Sequence, residues 1–305
     1  MSYNIVFMGT PEFSVPTLKT INKKFKIQCV FTQPARKSNR GYKLTRTPVH
    51  ICADKLGIIV KTPEKIIDEH DFLKSLNFDL AIVVAYGQLI PKEILSLSKK
   101  GFINIHASLL PKWRGAAPIQ RSILNNDKIT GISFMKMKEK LDAGPICSSY
   151  SINILNNENS KNLTERLSIL SSKKVLENID SIISEQAIFK EQNEKLASYA
   201  KKINKNEGKI DWNNPAEKIL FQINALNPKP GAWFSFQNIR FKILSAEIKE
   251  ISGKVGEVID DELTISCGKN SIKINTIQKE GKKPQLTKEF LYGNKISKGT
   301  LIYNV

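Results

Sequence analysis

The sequence predicts an α/β protein whose first and larger domain is followed by a small all-β domain. Three observations predict it: short apolar runs alternating with helical patterns as far as Ile183, a polar lysine-rich stretch over 188–206, and period-two alternation beyond it. Residues 5–8, 27–32, 58–60, 80–85 and 102–105 are apolar and rich in β-branched and aromatic side chains, the pattern of strands buried on both faces of a parallel sheet. Segments 12–22, 48–56 and 64–76 between them carry helical spacing, and Pro48 stands where its missing N–H does no harm. Pro118 opens another helix through Ile119, Ile123 and Leu124. Residues 132–135 and 145–152 are further strands, and Ser160–Ile183 is a long helix with Leu163, Leu167, Leu170, Val175, Ile179 and Ile182 on one stripe. Beyond the stretch 188–206, a helix over Ala216–Leu226 precedes strand patterns at 239–244, 256–259, 263–267 and 272–277. The expected layout is a mostly parallel, Rossmann-like catalytic domain over 1–187, an exposed linker over 188–206, and an OB-like antiparallel β-barrel over 207–305.

Lys plus Arg (47) exceed Asp plus Glu (29), giving a net charge of +18, which attracts a polyanion such as RNA. Cys29, Cys52, Cys147 and Cys267 form no C-x-x-C pair, and His50, His70 and His106 lack metal-ligand spacing. A reduced compartment, no structural zinc and no catalytic metal are the expectations. The chain opens on a strand pattern, and its longest apolar run, 80–86, is too short to cross a bilayer, so a cytoplasmic protein without membrane contact is expected. Gly9-Thr10-Pro11 follows the first strand but forms neither G-x-G-x-x-G nor a Walker loop, which removes most support for a nucleotide cofactor.

Asn104 and His106 are two residues apart at the end of a strand, so both point to one face while Ile103 and Ile105 point to the other. Two convergent donors can hold the negative oxygen of a tetrahedral intermediate, which suits acyl transfer. Asp142, in the turn Leu141-Asp142-Ala143-Gly144, is the carboxylate that would favour the imidazole form donating from both nitrogens. Taken singly, the pair is also a polar strand end, and Asp142 an ordinary turn residue. Between Gln33 and Pro48 lie Arg36, Lys37, Arg40, Lys43 and Arg46 with no acid, a basic loop able to neutralise phosphates, with Tyr42 available to stack on a base. A solvated surface loop would read the same way.

Asn104-x-His106-x-Ser108-Leu109-Leu110-Pro111-x-Trp113-Arg114-Gly115-Ala116-Ala117-Pro118-Ile119-Gln120, with Asp142, resembles the signature of the folate-dependent formyltransferases. Phe7 to Phe13, Phe31-Thr32-Gln33-Pro34, Val83 to Gly87, Ile210-Asp211-Trp212 and Asn227-Pro228-x-Pro230-Gly231 extend it over both domains. Departures are Lys112, where arginine is frequent, and Pro145, where an acid is common. The resemblance implies transfer of a formyl group from 10-formyltetrahydrofolate to the α-amine of methionine esterified to initiator tRNA. Asn104, His106 and Asp142 would be catalytic; Ser108, Leu109, Leu110, Pro111, Tyr86 and Ile90 would bind the folate; Arg36, Lys37, Arg40, Lys43 and Arg46 would bind tRNA. A monomer without metal is expected. Enzymes formylating a ribonucleotide or an amino sugar, an RNA-binding module on an inactive transferase fold, and a formyl-folate hydrolase are the rivals; the charged loop and complete triad favour the first reading.

Overall fold

Seven strands lie in the order Ile146–Asn153, Ile129–Lys136, Phe102–His106, Leu80–Val84, Asn4–Gly9, Lys26–Phe31, Val60–Lys61. The last five are mutually parallel, and Ile129–Lys136 runs antiparallel to Phe102–His106. This computed structural model describes residues 3–38 and 43–302. Its contacts divide the chain into two units. One is Met1–Pro118, Thr130–Ile152 and Thr164–Ala200; the other is Ile119–Ile129, Asn153–Leu163 and Lys201–Val305.

Leu80–Val84 and Phe102–His106 are buried along their whole length, as strands covered on both faces must be. Val6, Met8, Phe31, Ala81, Val83 and Phe102 pack on one face with Ile66, Leu73, Phe78 and Ile94. Each of these side chains larger than Ala81 contributes about 1.5–3 kcal/mol on burial. Asn104 and His106 continue the row that Phe102 begins, because side chains alternate along a strand. The chain builds the sheet outward from Asn4–Gly9, first through Lys26–Phe31 and then, on the other side, through Leu80–Val84. That reversal is the switch point, where the carboxyl ends of open α/β sheets leave a crevice. Here the Thr10 hydroxyl donates to the Tyr86 carbonyl at 2.7 Å and the Ser14 hydroxyl to the Val84 carbonyl at 2.6 Å, fixing the loops on either side.

Ser160–Ile183 and Ala216–Leu226 are helices over the predicted spans. Segment 12–22 is instead a 3-10 turn, Glu12–Ser14, feeding the helix Val15–Asn22. Segment 64–76 likewise divides into Ile66–Glu69 and the helix His70–Ser75. The Ile66 N–H there donates to Gln88 Oε1 at 2.8 Å, so a side chain from another element takes the place of a helical carbonyl. Residues 188–200, within the stretch expected as an exposed linker, are bonded along the first unit: Lys190 pairs with Ile146, and Tyr199–Ala200 lies parallel to Arg114–Gly115.

In the second unit, Ala232–Phe236, Ile239–Lys249, Ser271–Lys279 and Thr264–Ser266 form an antiparallel sheet, with Gln285–Leu286 added to Ser271–Lys279. The first strand was not predicted, nor was the helix Thr287–Gly293. Gln237 and Asn238 both take positive φ, the two-residue turn whose twist matches antiparallel strands. Trp212, Phe234, Phe241 and Phe290 make a chain of ring contacts with centroids 5.5–5.8 Å apart through the core. Residues 256–259, read as a strand, pair only through isolated bridges such as Val258–Ile265.

Candidate active site

Asn104 and His106 are 9% and 6% exposed, and both face Asp142, itself 9% exposed. Asn104 Nδ2 donates to Asp142 Oδ1 at 3.1 Å. A carboxylate only accepts, so the nitrogen of the Asn104 amide must be the atom turned toward it. His106 Nε2 lies 2.8 Å from the Trp113 carbonyl oxygen, which fixes a proton on that nitrogen. His106 Nδ1 lies 3.6 Å from Asp142 Oδ2, longer than a hydrogen bond. The second hydrogen of the Asn104 amide is therefore a donor left for a substrate oxygen, and the Nδ1 edge of His106 becomes one in the imidazolium form, which donates from both nitrogens. The Gly115 N–H donates to Asp142 Oδ2 at 2.9 Å, so the carboxylate is oriented from both sides.

The backbone around these groups departs from common conformations. Asp142 has φ +48° and Trp113 φ +63°. Asp tolerates the left-handed region, but an aromatic residue there is an outlier that surrounding bonds must hold. Trp113 is held by its N–H to Ser198 Oγ at 2.9 Å and by its carbonyl to His106. A Cβ on Gly144 would lie 1.8 Å from the Lys136 carbonyl oxygen, so the turn carrying Asp142 packs directly on backbone. Gly144→Ala is expected to push that turn outward, costing about 1–3 kcal/mol in stability and lowering kcat at least tenfold. Thermal melting and steady-state rates check this, and wild-type values for both would show that the turn does not need the close approach.

Arg114 is fully buried and meets the partly exposed Glu194 carboxylate at 2.9 and 3.2 Å. The hydrogen bond from Arg114, then that from Lys140, holds the Glu194 carboxyl at about 2, below its ordinary 4.5. Because the folded value is depressed, this pair is intact above pH 4.5 and is lost only as pH falls toward 2.

Other site expectations fall in different places. Ser108 is buried, and its hydroxyl donates to the Lys112 carbonyl at 2.6 Å, closing the turn. Leu110 and Pro111 line a cavity of about 660 Å³ with Cys147, Tyr150 and Asn178. Tyr86 is 2% exposed within the apolar cluster, and its hydroxyl has no hydrogen-bond partner. Ile90 borders a cavity of about 510 Å³ with Glu64, Gln88, Leu89, Pro91 and Glu139. The basic segment contributes a short hairpin, Arg36–Ser38 against Lys43–Thr45, and so places Lys37 and Lys43 on its strands. Arg36 Nη2 donates to Gln33 Oε1 at 3.2 Å, and Arg46 pairs with Asp54 at 2.9 Å. Arg40 and Tyr42 lie outside the described residues. Arg114, Gly115 and Gln192 carry site contacts that the sequence reading left unassigned. Trp-Arg-Gly stood inside the quoted run, whereas nothing in the sequence marked Gln192.

A family model described as "Formyl transferase" matches residues 3–179, and one described as "Formyl transferase, C-terminal domain" matches 202–295. A methionyl-tRNA formyltransferase of Pelagibacter ubique is 53% identical over 310 residues, covering 100% of both chains. One of Brucella canis is 42% identical, covering 96% of this chain and 99% of the relative. The solved structure of HypX from Aquifex aeolicus in complex with tetrahydrofolic acid shares the fold, with a TM-score of 0.65 and 16% identity over 97% of this chain and 50% of that one. With both domains matched and relatives aligned from end to end, the chain belongs to the formyl transferase family, among the methionyl-tRNA formyltransferases.

Proposed function

We infer that the chain transfers the formyl group of 10-formyltetrahydrofolate to the α-amine of methionine esterified to an initiator tRNA. The observation that carries this reading is the convergence of Asn104 Nδ2 and His106 Nδ1 on the two oxygens of Asp142. Attack of the neutral amine on the formyl carbon forms a C–N bond and leaves a negative oxygen. The free hydrogen of the Asn104 amide and the Nδ1–H of His106 in its imidazolium form stabilise that oxygen. Asp142 holds the Asn104 amide, faces His106 Nδ1, and passes the proton lost by the amine toward N10 as the bond from the formyl carbon to N10 breaks.

The cavity beside Ile90, Gln88 and Leu89 suits the folate. Tyr86 and Ser108, with buried side chains, would shape the turns on the folate side, and Leu109, Leu110 and Pro111 continue the latter. A cytoplasmic monomer completes the reading. Among the described residues no helix is long and apolar enough to cross a membrane. The test offers 10-formyltetrahydrofolate with methionyl initiator tRNA, an amino-sugar nucleotide, glycinamide ribonucleotide, or water alone, and follows the formyl group. Formyl-methionyl-tRNA as the main product is expected; formate or another formylated acceptor in its place would refute the reading.

Arg36, Lys37, Arg40, Lys43 and Arg46 are assigned to the tRNA backbone. Each lost phosphate contact should flatten the slope of log affinity against log salt by about 0.9 while folate binding stays unchanged. Arg46 already pairs with Asp54, so Arg46→Ala should flatten it less than Arg36→Ala. Filter binding across a salt series measures this, and an unaltered slope in all five variants would remove the segment from the interface.

A further inference from the structure

Trp113, Arg114 and Gly115 are consecutive, and each reaches the catalytic group by a separate route. The Trp113 carbonyl accepts from His106, and the Gly115 N–H donates to Asp142. Arg114 lies between them with its guanidinium removed from water, a costly placement unless its donors are matched. The match comes from far along the chain. Nε and Nη2 donate to Gln192 Oε1 at 3.0 and 2.8 Å, and Nη1 and Nη2 to Glu194. The other end of the Gln192 amide faces the site: Nε2 donates to the carbonyls of Asp142 at 2.9 Å and Gly144 at 2.7 Å.

A guanidinium only donates and a carbonyl only accepts, so the Gln192 amide has one orientation, with both its N–H groups used. Glu194 alone would neutralise Arg114; Gln192 adds a mechanical link to the turn bearing Asp142. We propose that Arg114 and Gln192 are positioning residues: a relay from guanidinium to amide to the backbone carbonyls of Asp142 and Gly144 sets the Asp142 carboxylate against His106 and Asn104. The relay explains what holds Asp142 at φ +48°. It rests on the reading of Asn104, His106 and Asp142 as the reacting group.

The test combines ring ¹⁵N signals of histidine with kinetics. The chain has three histidines, so the spectrum of His106→Ala assigns the signal that matters. Gln192→Met keeps length but removes both ends of the amide. It should move the His106 ring signals at fixed pH while leaving His50 and His70 in place. It should also lower kcat about 10- to 100-fold, with KM for formyl-folate within about twofold, as expected when only orientation is lost. Arg114→Lys, a point charge without the fork, should move the same signals. Glu194→Gln keeps one acceptor oxygen for Arg114 and leaves both ends of the Gln192 amide bonded, so it should move the His106 signals less than Gln192→Met does. Unmoved His106 signals in Gln192→Met overturn the relay whatever the activity. Moved signals in a chain whose parent forms no formyl-methionyl-tRNA uphold the relay and overturn the reading of the reaction.

Discussion

Asn104→Ala is expected to lower kcat about 10²- to 10³-fold, the scale of losing one oxyanion donor. The Asn104 amide nitrogen is anchored on Asp142 by one hydrogen at 3.1 Å, which leaves its second hydrogen aimed by the same geometry. Alanine removes that donor and frees Asp142 Oδ1, so the carboxylate opposite His106 Nδ1 is held on one side only, by the Gly115 N–H at Oδ2. The effect belongs in kcat, because the developing negative charge exists in the transition state and not in either bound substrate. His106→Ala should cost a similar factor, and the double variant less than the product of the two, since both donors share Asp142. Steady-state rates with both substrates saturating measure the loss. Near-normal turnover in either single variant would remove that residue from the reaction.

Asp142→Asn is the second large effect, on the order of 10³-fold or more in kcat. The reference case is the serine-protease triad, where the corresponding Asp→Asn change costs about 10⁴. Asp142 accepts from the Asn104 amide on one oxygen and from the Gly115 N–H on the other, with His106 Nδ1 facing the second. An amide has only one acceptor oxygen. Whichever way it turns, its NH2 group confronts another donor, and the negative charge facing the imidazole is gone. Melting temperature serves as the control, because the constellation should lose orientation while the sheet around it stays folded. A rate within tenfold of wild type at all pH values would show that the carboxylate charge is not needed.

Some of this was readable in the sequence for clear physical reasons. The long helix and Ala216–Leu226 carry uninterrupted apolar periodicity, which local packing obeys. The period of two correctly set Asn104 and His106 on one face, since a strand leaves no other choice. Asp142 was reachable through its residue type and its position in a turn between two strands. The relay was not readable, because Arg114 and Gln192 are 78 residues apart. Glutamine in a lysine-rich stretch reads as solvated, and only the folded chain shows its amide bonded at both ends. Ser108 and Tyr86 entered through the family resemblance, and the bonds they make, one hydroxyl to a turn carbonyl and the other side chain buried in the apolar cluster, were not legible in the sequence. The start of the segment 66–75 was equally hidden, because the Gln88 side chain that caps the Ile66 N–H comes from a loop 22 residues further along the chain.

Single-turnover transfer from 10-formyltetrahydrofolate to methionyl initiator tRNA, run with the unsubstituted chain and with Asn104→Ala, tests the central claim most directly. Rapid formation of formyl-methionyl-tRNA by the first, and a rate at least 10²-fold lower in the second with both substrates still bound, is the predicted result. Equal rates from the two proteins, or no formylated tRNA from the unsubstituted chain, would contradict it.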